Sequence, residues 1–204
     1  YKQSKFQVHE YYNEKFYNKV ADYTISDDLG FNKAYSLLCA FNDISFVNYQ
    51  LLDYIDRKIV QNDSILKDLE LGRLRDLIEG FCNANYRTEN WEILKTILHE
   101  NKALHEEELP VFIPVLKLTS NLLSLGFVSR ILLQRVLNPE YLGEHIRFFA
   151  KTNNSSPLSY LRAISQTIRL LYPEHEDLLP PKIFMDIAFD KLPETVDENH
   201  RDVL

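Results

Sequence analysis

The amino-acid sequence predicts an all-α protein, specifically an α-solenoid built from helical hairpin repeats of about 40 residues. Three observations lead to this prediction. The 204-residue chain has only five glycines and eight prolines, which favours helices over sheets and tight turns. Its apolar residues recur with helical spacing. The same pattern then returns at offsets of 40 and 41 residues, as expected for stacked helical units.

An apolar stripe defines the first helix of each predicted hairpin. Its positions are spaced i, i+3, i+7 and i+10, which places them on one helix face that can be buried. All twelve positions of the three copies are apolar: Ala34, Leu37, Phe41 and Ile44; Leu74, Leu77, Phe81 and Ala84; Val115, Leu118, Leu122 and Leu125. We expect Phe81 and Leu118 to be almost fully buried.

A second helix is predicted to follow each stripe. An aromatic residue stands two positions after every stripe, at Phe46, Tyr86 and Phe127. Two residues later comes a side chain that can cap a helix amino terminus, at Asn48, Thr88 and Ser129. The first inward-facing residue of the second helix lies three positions further on, at Leu51, Trp91 and Leu132. Neither helix of a hairpin can bury its stripe alone, so neighbouring hairpins should stack.

The remaining elements follow in chain order. Residues 1–30 are predicted to be a remnant of a preceding repeat, with a helix over residues 5–24. The hairpins occupy residues 31–151. Pro110 and Pro114 should make the first helix of the third hairpin begin late or kink. In residues 152–204, a helix is predicted over 157–171. Prolines at 173, 180 and 181 break it, and a short last helix spans 181–192 before a polar tail.

Composition excludes several classes of protein. The sequence has no run of eighteen apolar residues and no signal-like amino terminus, so neither a membrane span nor a membrane partner is predicted. The chain begins at Tyr1 rather than at methionine, and we interpret it as an excised fragment. Cys39 and Cys82 lie within apolar helical patterns, which is typical of reduced intracellular thiols. No motif predicts a cofactor, a metal or a small-molecule substrate.

The residues His200, Arg201 and Asp202 match the first three letters of a protein-kinase catalytic loop. Phosphoryl transfer also needs a glycine-rich phosphate loop, a strand lysine paired with a helix glutamate, and a DFG aspartate that holds magnesium. The sequence contains none of these, and Asp202 falls in the predicted polar tail. The match is therefore interpreted as coincidence, and the chain is predicted not to be an enzyme.

The charge of the chain is unevenly distributed. The formal net charge is −7, but residues 109–173 carry seven basic side chains against only Glu140 and Glu144, a local balance of +5. Several of these residues have helical neighbours at i+4 or i+7: Arg130 with Gln134, Arg147 with Lys151, and Arg162 with Gln166 and Arg169. Such stripes can bind phosphate groups, while glutamine can bind base edges.

Two segments resemble a known family. Residues 124–142 contain a leucine-glycine-aromatic turn, a helix, and an ending at Val136, Leu137 and the run Asn138-Pro139-Glu140-Tyr141-Leu142. Residues 160–181 contain a second pattern, carried by Leu171, Pro173, Leu179 and Pro180, with departures at Tyr172 and at residues 174–177. Together they resemble the paired segments of the Fas-activated serine/threonine kinase (FAST kinase) domain-containing family, whose helical repeats are similar to the upstream hairpins.

The resemblance implies a function. Members of that family are mitochondrial proteins that govern the stability, processing or translation of organellar transcripts, and their kinase name is not supported by sequence motifs. The chain is therefore expected to be an RNA-binding module of the mitochondrial matrix, whose partner is single-stranded mitochondrial RNA, with weak affinity for this fragment alone. The candidate RNA-binding residues are Lys117, Arg130, Gln134, Arg135, Arg147, Lys151, Arg162, Gln166 and Arg169.

Two alternatives remain open from the sequence. The sequence pI of about 5.4 and a concave helical surface also suit a scaffold that binds protein partners. In the other alternative, the fragment only supports a carboxy-terminal RAP domain, which in the resembling family follows these segments and would then hold the RNA site.

Overall fold

The computed structural model describes residues 13–106, 108–151 and 156–190, and all regular secondary structure in these residues is helical. The prediction of an all-α protein is therefore confirmed. The chain forms two compact units, residues 1–106 and residues 107–204. The domain boundaries near residues 30 and 151 come from the sequence pattern, and they stay predictions.

Unit 1 contains six α-helices among its described residues: α1 (Glu14–Ser26), α2 (Gly30–Asp43), α3 (Tyr49–Gln61), α4 (Ser64–Lys67), α5 (Leu71–Asn83) and α6 (Trp91–Leu98), with a 3-10 turn at Lys102–Leu104. Helices α2 and α3 pack as one hairpin, α2 also packs on α5, and α3 on α6. Equivalent helices of the first two hairpins thus lie side by side, because each hairpin leaves one apolar face uncovered.

The amino-terminal helix is shorter than predicted. Helix α1 begins at Glu14, because the extended backbone of Asn13 and its side-chain oxygen, which accepts from the backbone nitrogen of Phe16 at 3.1 Å, cap the helix there. The prediction of one continuous helix from residue 5 to 24 is therefore wrong. Residues 5–12 lie outside the described part. Helix α1 packs against α2 and α3, as a helix of a preceding hairpin would.

The turn between the two helices of each hairpin has the same backbone geometry in all three copies. One residue adopts a left-handed conformation, and the next backbone nitrogen bonds to the carbonyl five residues earlier. The left-handed residues are Ser45 (φ 56°), Asn85 (φ 45°) and Gly126 (φ 80°). The returning bonds join Phe46 to Phe41 (2.9 Å), Tyr86 to Phe81 (3.2 Å) and Phe127 to Leu122 (2.9 Å). The sequence repeat therefore has a counterpart in local structure.

Two of the three predicted helix caps are confirmed. Asn48 and Ser129 accept hydrogen bonds from the backbone nitrogens of Leu51 (2.8 Å) and Leu132 (3.3 Å). The prediction for Thr88 is wrong, since α6 begins at Trp91 and Asn90 is its capping residue. The Asn90 side chain is instead turned toward α3, where it donates to Asp56 at 2.8 Å.

Unit 2 contains five α-helices among its described residues: α7 (Val115–Ser124), α8 (Arg130–Val136), α9 (Pro139–Ala150), α10 (Ser156–Leu171) and α11 (Lys182–Asp190), with a 3-10 segment at Pro173–Leu178. Pro114 caps α7, so the predicted late start of this helix is confirmed. Helix α10 packs on α7 and on α11. The helix predicted over residues 157–171 and the break after it are also confirmed.

The predicted stripes form much of the core. Ten of the twelve positions are buried, with Phe81 1% and Leu118 0% exposed, whereas Leu37 and Ile44 are half-buried. A fourth stripe with the same i, i+3, i+7, i+10 spacing lies on α10, at Leu158, Leu161, Ser165 and Ile168. The sequence pattern missed this stripe because its third position is polar. The Ser165 hydroxyl is satisfied inside the core by the Leu161 carbonyl at 2.8 Å.

Gly80 allows the close approach of α5 to α2. A Cβ atom at this position would lie 2.7 Å from Cδ1 and 3.0 Å from Cγ of the buried Leu38 side chain, whereas a Cβ atom at Gly143 of α9 would meet nothing within 4 Å. Gly80→Ala should therefore lower the free energy of unfolding by about 1–3 kcal/mol through overpacking. Gly143→Ala should raise it by about 0.5–1 kcal/mol through helix propensity. Chemical denaturation measures both, and equal effects would contradict the packing argument.

Candidate nucleic-acid interface

The nine candidate RNA-binding residues all lie in unit 2, but the structure places them in different surroundings. Arg147 and Lys151, at the end of α9, and Gln166 and Arg169, on α10, are exposed. Arg147, Lys151 and Arg169 make no ion pair with any described residue. We call these four exposed residues the basic face, a name that refers to their exposure; they lie on two helices, at the end of α9 and in the second half of α10. Lys117 is half-buried on α7.

Arg130 forms an ion pair with an acidic residue that lies outside residues 109–173. Its guanidinium forms a two-point ion pair with Asp177 in the 3-10 segment, with Nη1 3.4 Å from Oδ1, and Nη1 also lies 3.5 Å from Nδ1 of His175. The hydrogen bonds from Arg130 lower the pKa of the Asp177 carboxyl below its ordinary value. Arg130 therefore joins α8 to the 3-10 segment, and much of its charge is neutralised.

Arg162 has a structural role. Its Nε donates to the carbonyl oxygen of Ala188 at 3.0 Å, its Nη2 donates to the carbonyls of Ala188 and Phe189, and its guanidinium lies 5.3 Å from the centre of the Phe189 ring. These carbonyls lie in the last turn of α11, where a cation interacts favourably with the helix dipole. Arg162 thus ties α11 to α10. These contacts occupy the guanidinium that the i, i+4, i+7 spacing predicts to bind RNA.

Gln134 and Arg135 line an open groove with a volume of about 590 Å³. The other lining residues come from the segment before α7, from the residue that precedes α9 and from α9 itself: Glu108, Leu109, Asn138, Glu140, Tyr141 and Glu144. The exposed carboxylates of Glu108, Glu140 and Glu144 make no ion pair with a described residue. With three carboxylates and one guanidinium, the groove has a net negative charge, which repels phosphate.

A buried histidine supports the wall of this groove. His145 is 0% exposed and lies between two rings: Tyr141, stacked with its ring centre 5.3 Å away, and Phe149, tilted at 4.8 Å. Burial lowers the pKa of His145 to about 4, so the ring is neutral at pH 7. Burial also raises the pKa of Tyr141, whose hydroxyl lies 3.3 Å from Nδ1 of His145 and can donate to it.

Sequence reasoning missed the acidic residues that surround the candidate site. The basic stretch of residues 109–173 ends just before Glu174, Glu176 and Asp177, which add three negative charges. A slightly longer window would have shown this balancing charge. The groove carboxylates Glu140 and Glu144 were counted in the sequence, but only packing shows that they share a surface with Arg135.

Comparisons with protein-family models, with curated proteins and with solved structures give no match for this chain. Among the described residues, no helix combines the length and the apolar character needed to cross a bilayer.

Proposed function

We propose that the chain is a helical module that binds single-stranded RNA through the basic face of unit 2, formed by Arg147, Lys151, Gln166 and Arg169. The observation that carries this proposal is that three of these side chains are exposed cations without an ion pair to any described residue. Unpaired cations are free to replace the counterions of a phosphate backbone, whereas Arg130 and Arg162 would first have to leave their protein partners.

The expected affinity is weak. Few cations are available, and the net charge of −7 opposes the approach of an anionic strand. Phosphate contacts made by three side chains give little sequence discrimination, with Gln166 as the residue able to bind a base edge. The α-solenoid that we propose for residues 31–151 would carry Arg147 and Lys151, while Gln166 and Arg169 lie on α10, which follows it.

The proposed biological role is that of a mitochondrial post-transcriptional regulator of transcript stability, processing or translation. Its support is the resemblance of residues 124–142 and 160–181 to the FAST kinase domain-containing family. The role places the chain in the mitochondrial matrix and requires no catalytic residue. Asp202, the residue that a kinase mechanism would need, lies outside the described residues.

Charge reversal on the basic face tests the RNA proposal. The double variant Arg147→Glu/Lys151→Glu should weaken binding of a fluorescent single-stranded oligonucleotide by about tenfold or more, because two phosphate contacts become repulsive. The negative slope of log affinity against log salt should become shallower by about 1.4, since each contact to a single strand contributes about −0.7. Fluorescence anisotropy at several salt concentrations measures both quantities.

The matched control reverses two exposed lysines in unit 1, Lys15 and Lys19 on α1, and should leave binding nearly unchanged. Arg162 is unsuitable as a test residue, because its replacement also removes the contacts to α11. Equal losses in the two double variants would show diffuse attraction without a site. No effect of either would contradict RNA binding by this face.

A protein-interaction scaffold is the second candidate function. It is favoured by apolar side chains exposed in unit 2, on α10 and α11: Leu170 (79% exposed), Leu171, Ile183 and Ile187. Exposed apolar residues that cluster on a monomer are typical of partner-binding surfaces. Salt-insensitive binding to a protein partner, with no measurable RNA affinity, would favour this candidate over the first.

A further inference from the structure

The groove in unit 2 has two kinds of wall. Leu109 and Tyr141 supply apolar and aromatic surface, while Glu108, Glu140 and Glu144 place carboxylates around it. Among the described residues of the lining, Arg135 contributes one cationic group against three carboxylates, an excess of two negative charges. The volume of about 590 Å³ exceeds that of one side chain, so the groove is large enough for a short stretch of polypeptide.

We propose that this groove binds an arginine-containing basic segment of a protein partner. A guanidinium needs planar carboxylate acceptors for its fork of N–H donors, and the groove offers three carboxylates that make no ion pair with a described residue. Its aliphatic stem needs apolar contact, which Leu109 offers, and the Tyr141 ring adds a face on which a cation is stabilised.

The wall that would receive the cation is well supported. Tyr141 is held from behind by the buried His145 ring, and the Asn138 side chain accepts from the backbone nitrogens of Glu140 (2.9 Å) and Tyr141 (3.3 Å). This cap fixes the first turn of α9, which carries Glu140, and Glu144 follows one turn later on the same face. The backbone of this wall and the Tyr141 ring therefore lose little conformational entropy on binding.

RNA is the less favourable occupant of the groove. Bases could bond to Gln134 and Asn138, but the strand that carries them would bring phosphates close to three carboxylates. Glu140 and Glu144 lie in the first half of α9 and Arg147 and Lys151 at its end, so cationic peptide and anionic strand would bind at different positions along this helix. The groove takes the peptide, and the basic face takes the RNA.

Binding of a fluorescein-labelled peptide that alternates glycine and arginine tests the proposal on the full chain. The double variant Glu140→Gln/Glu144→Gln, which keeps side-chain shape and removes two charges, should weaken this binding by about fivefold to thirtyfold. The control Glu174→Gln/Glu176→Gln removes two exposed charges of the same unit outside the groove and should leave the affinity within about twofold. Circular dichroism verifies that each variant is folded.

A second peptide, in which citrulline replaces every arginine, separates charge recognition from shape. It has nearly the same size and no positive charge, so its binding should be too weak to measure. Equal affinity for the two peptides, or equal loss in both double variants, overturns the proposal. If Glu140→Gln/Glu144→Gln instead weakens binding of the single-stranded oligonucleotide, the groove belongs to RNA and the proposal is also wrong.

Discussion

Replacing Phe81 by Ala should lower the free energy of unfolding by about 3–5 kcal/mol, the usual cost of removing a buried aromatic side chain. Phe81 is 1% exposed on the inner face of α5, and its ring centre lies 6.2 Å from that of Trp91 at the start of α6. The residue therefore joins the two helices of the second hairpin. The smaller side chain would leave a cavity that the surrounding helices could fill only in part.

Urea denaturation followed by circular dichroism measures this change. The matched control is Phe16→Ala on α1, where 57% of the side chain is already exposed and the loss should stay below about 1 kcal/mol. Similar losses for the two variants would mean that Phe81 is not a core residue. They would also remove the basis for treating the repeated stripe as the buried surface of the hairpins.

Replacing Asn101 by Asp should destabilise unit 1 by about 3–5 kcal/mol, although the two side chains have the same shape. Asn101 is fully buried after α6. Its Nδ2 donates to the carbonyls of Leu66 (2.6 Å) and Leu69 (3.0 Å), and its Oδ1 accepts from the backbone nitrogen of Leu104 (3.1 Å). In the Asp variant, a carboxylate oxygen would replace the Nδ2 donor, so an acceptor would face two carbonyl acceptors. The buried charge would also lose its hydration without gaining a cationic partner.

The same denaturation experiment includes two comparisons. Asn101→Ala should cost about 3 kcal/mol, because it removes three side-chain hydrogen bonds to buried backbone groups. Asn83→Ala, at an exposed position of α5, should change the stability by less than about 0.5 kcal/mol. An Asn101→Asp variant as stable as the parent would show that the two carbonyls do not depend on the amide.

Asn101 illustrates what the sequence pattern could not reveal. It lies in a polar stretch between two histidines, His99 and His105, and nothing in its neighbours distinguishes it from a solvated loop residue. Its role arises because the chain folds back so that the carbonyl of Leu66 in α4 and that of Leu69 just after α4 meet its amide. Hydrogen-bond partners more than thirty residues away leave no periodic signal.

In the candidate site too, some features follow from spacing along the chain and others only from packing. Sequence spacing correctly places Arg147 and Lys151, four residues apart, at the exposed end of one helix, because helix geometry depends only on separation along the chain. It could not show that Arg130 meets Asp177, 47 residues later, or that Arg162 binds the end of α11. In these contacts, two of the nine candidate residues, Arg130 and Arg162, join elements of the fold.

The sequence by itself determined the helical class, the hairpin turns and most of the buried face. These depend on local rules: a 3.6-residue period, one left-handed residue per turn, and apolar side chains at matched positions. Only the tertiary structure decided where charges meet, which cations stay exposed and which acids line the groove at Tyr141. Electrostatic pairing acts through space rather than along the chain, so it follows from packing and cannot be derived from spacing alone.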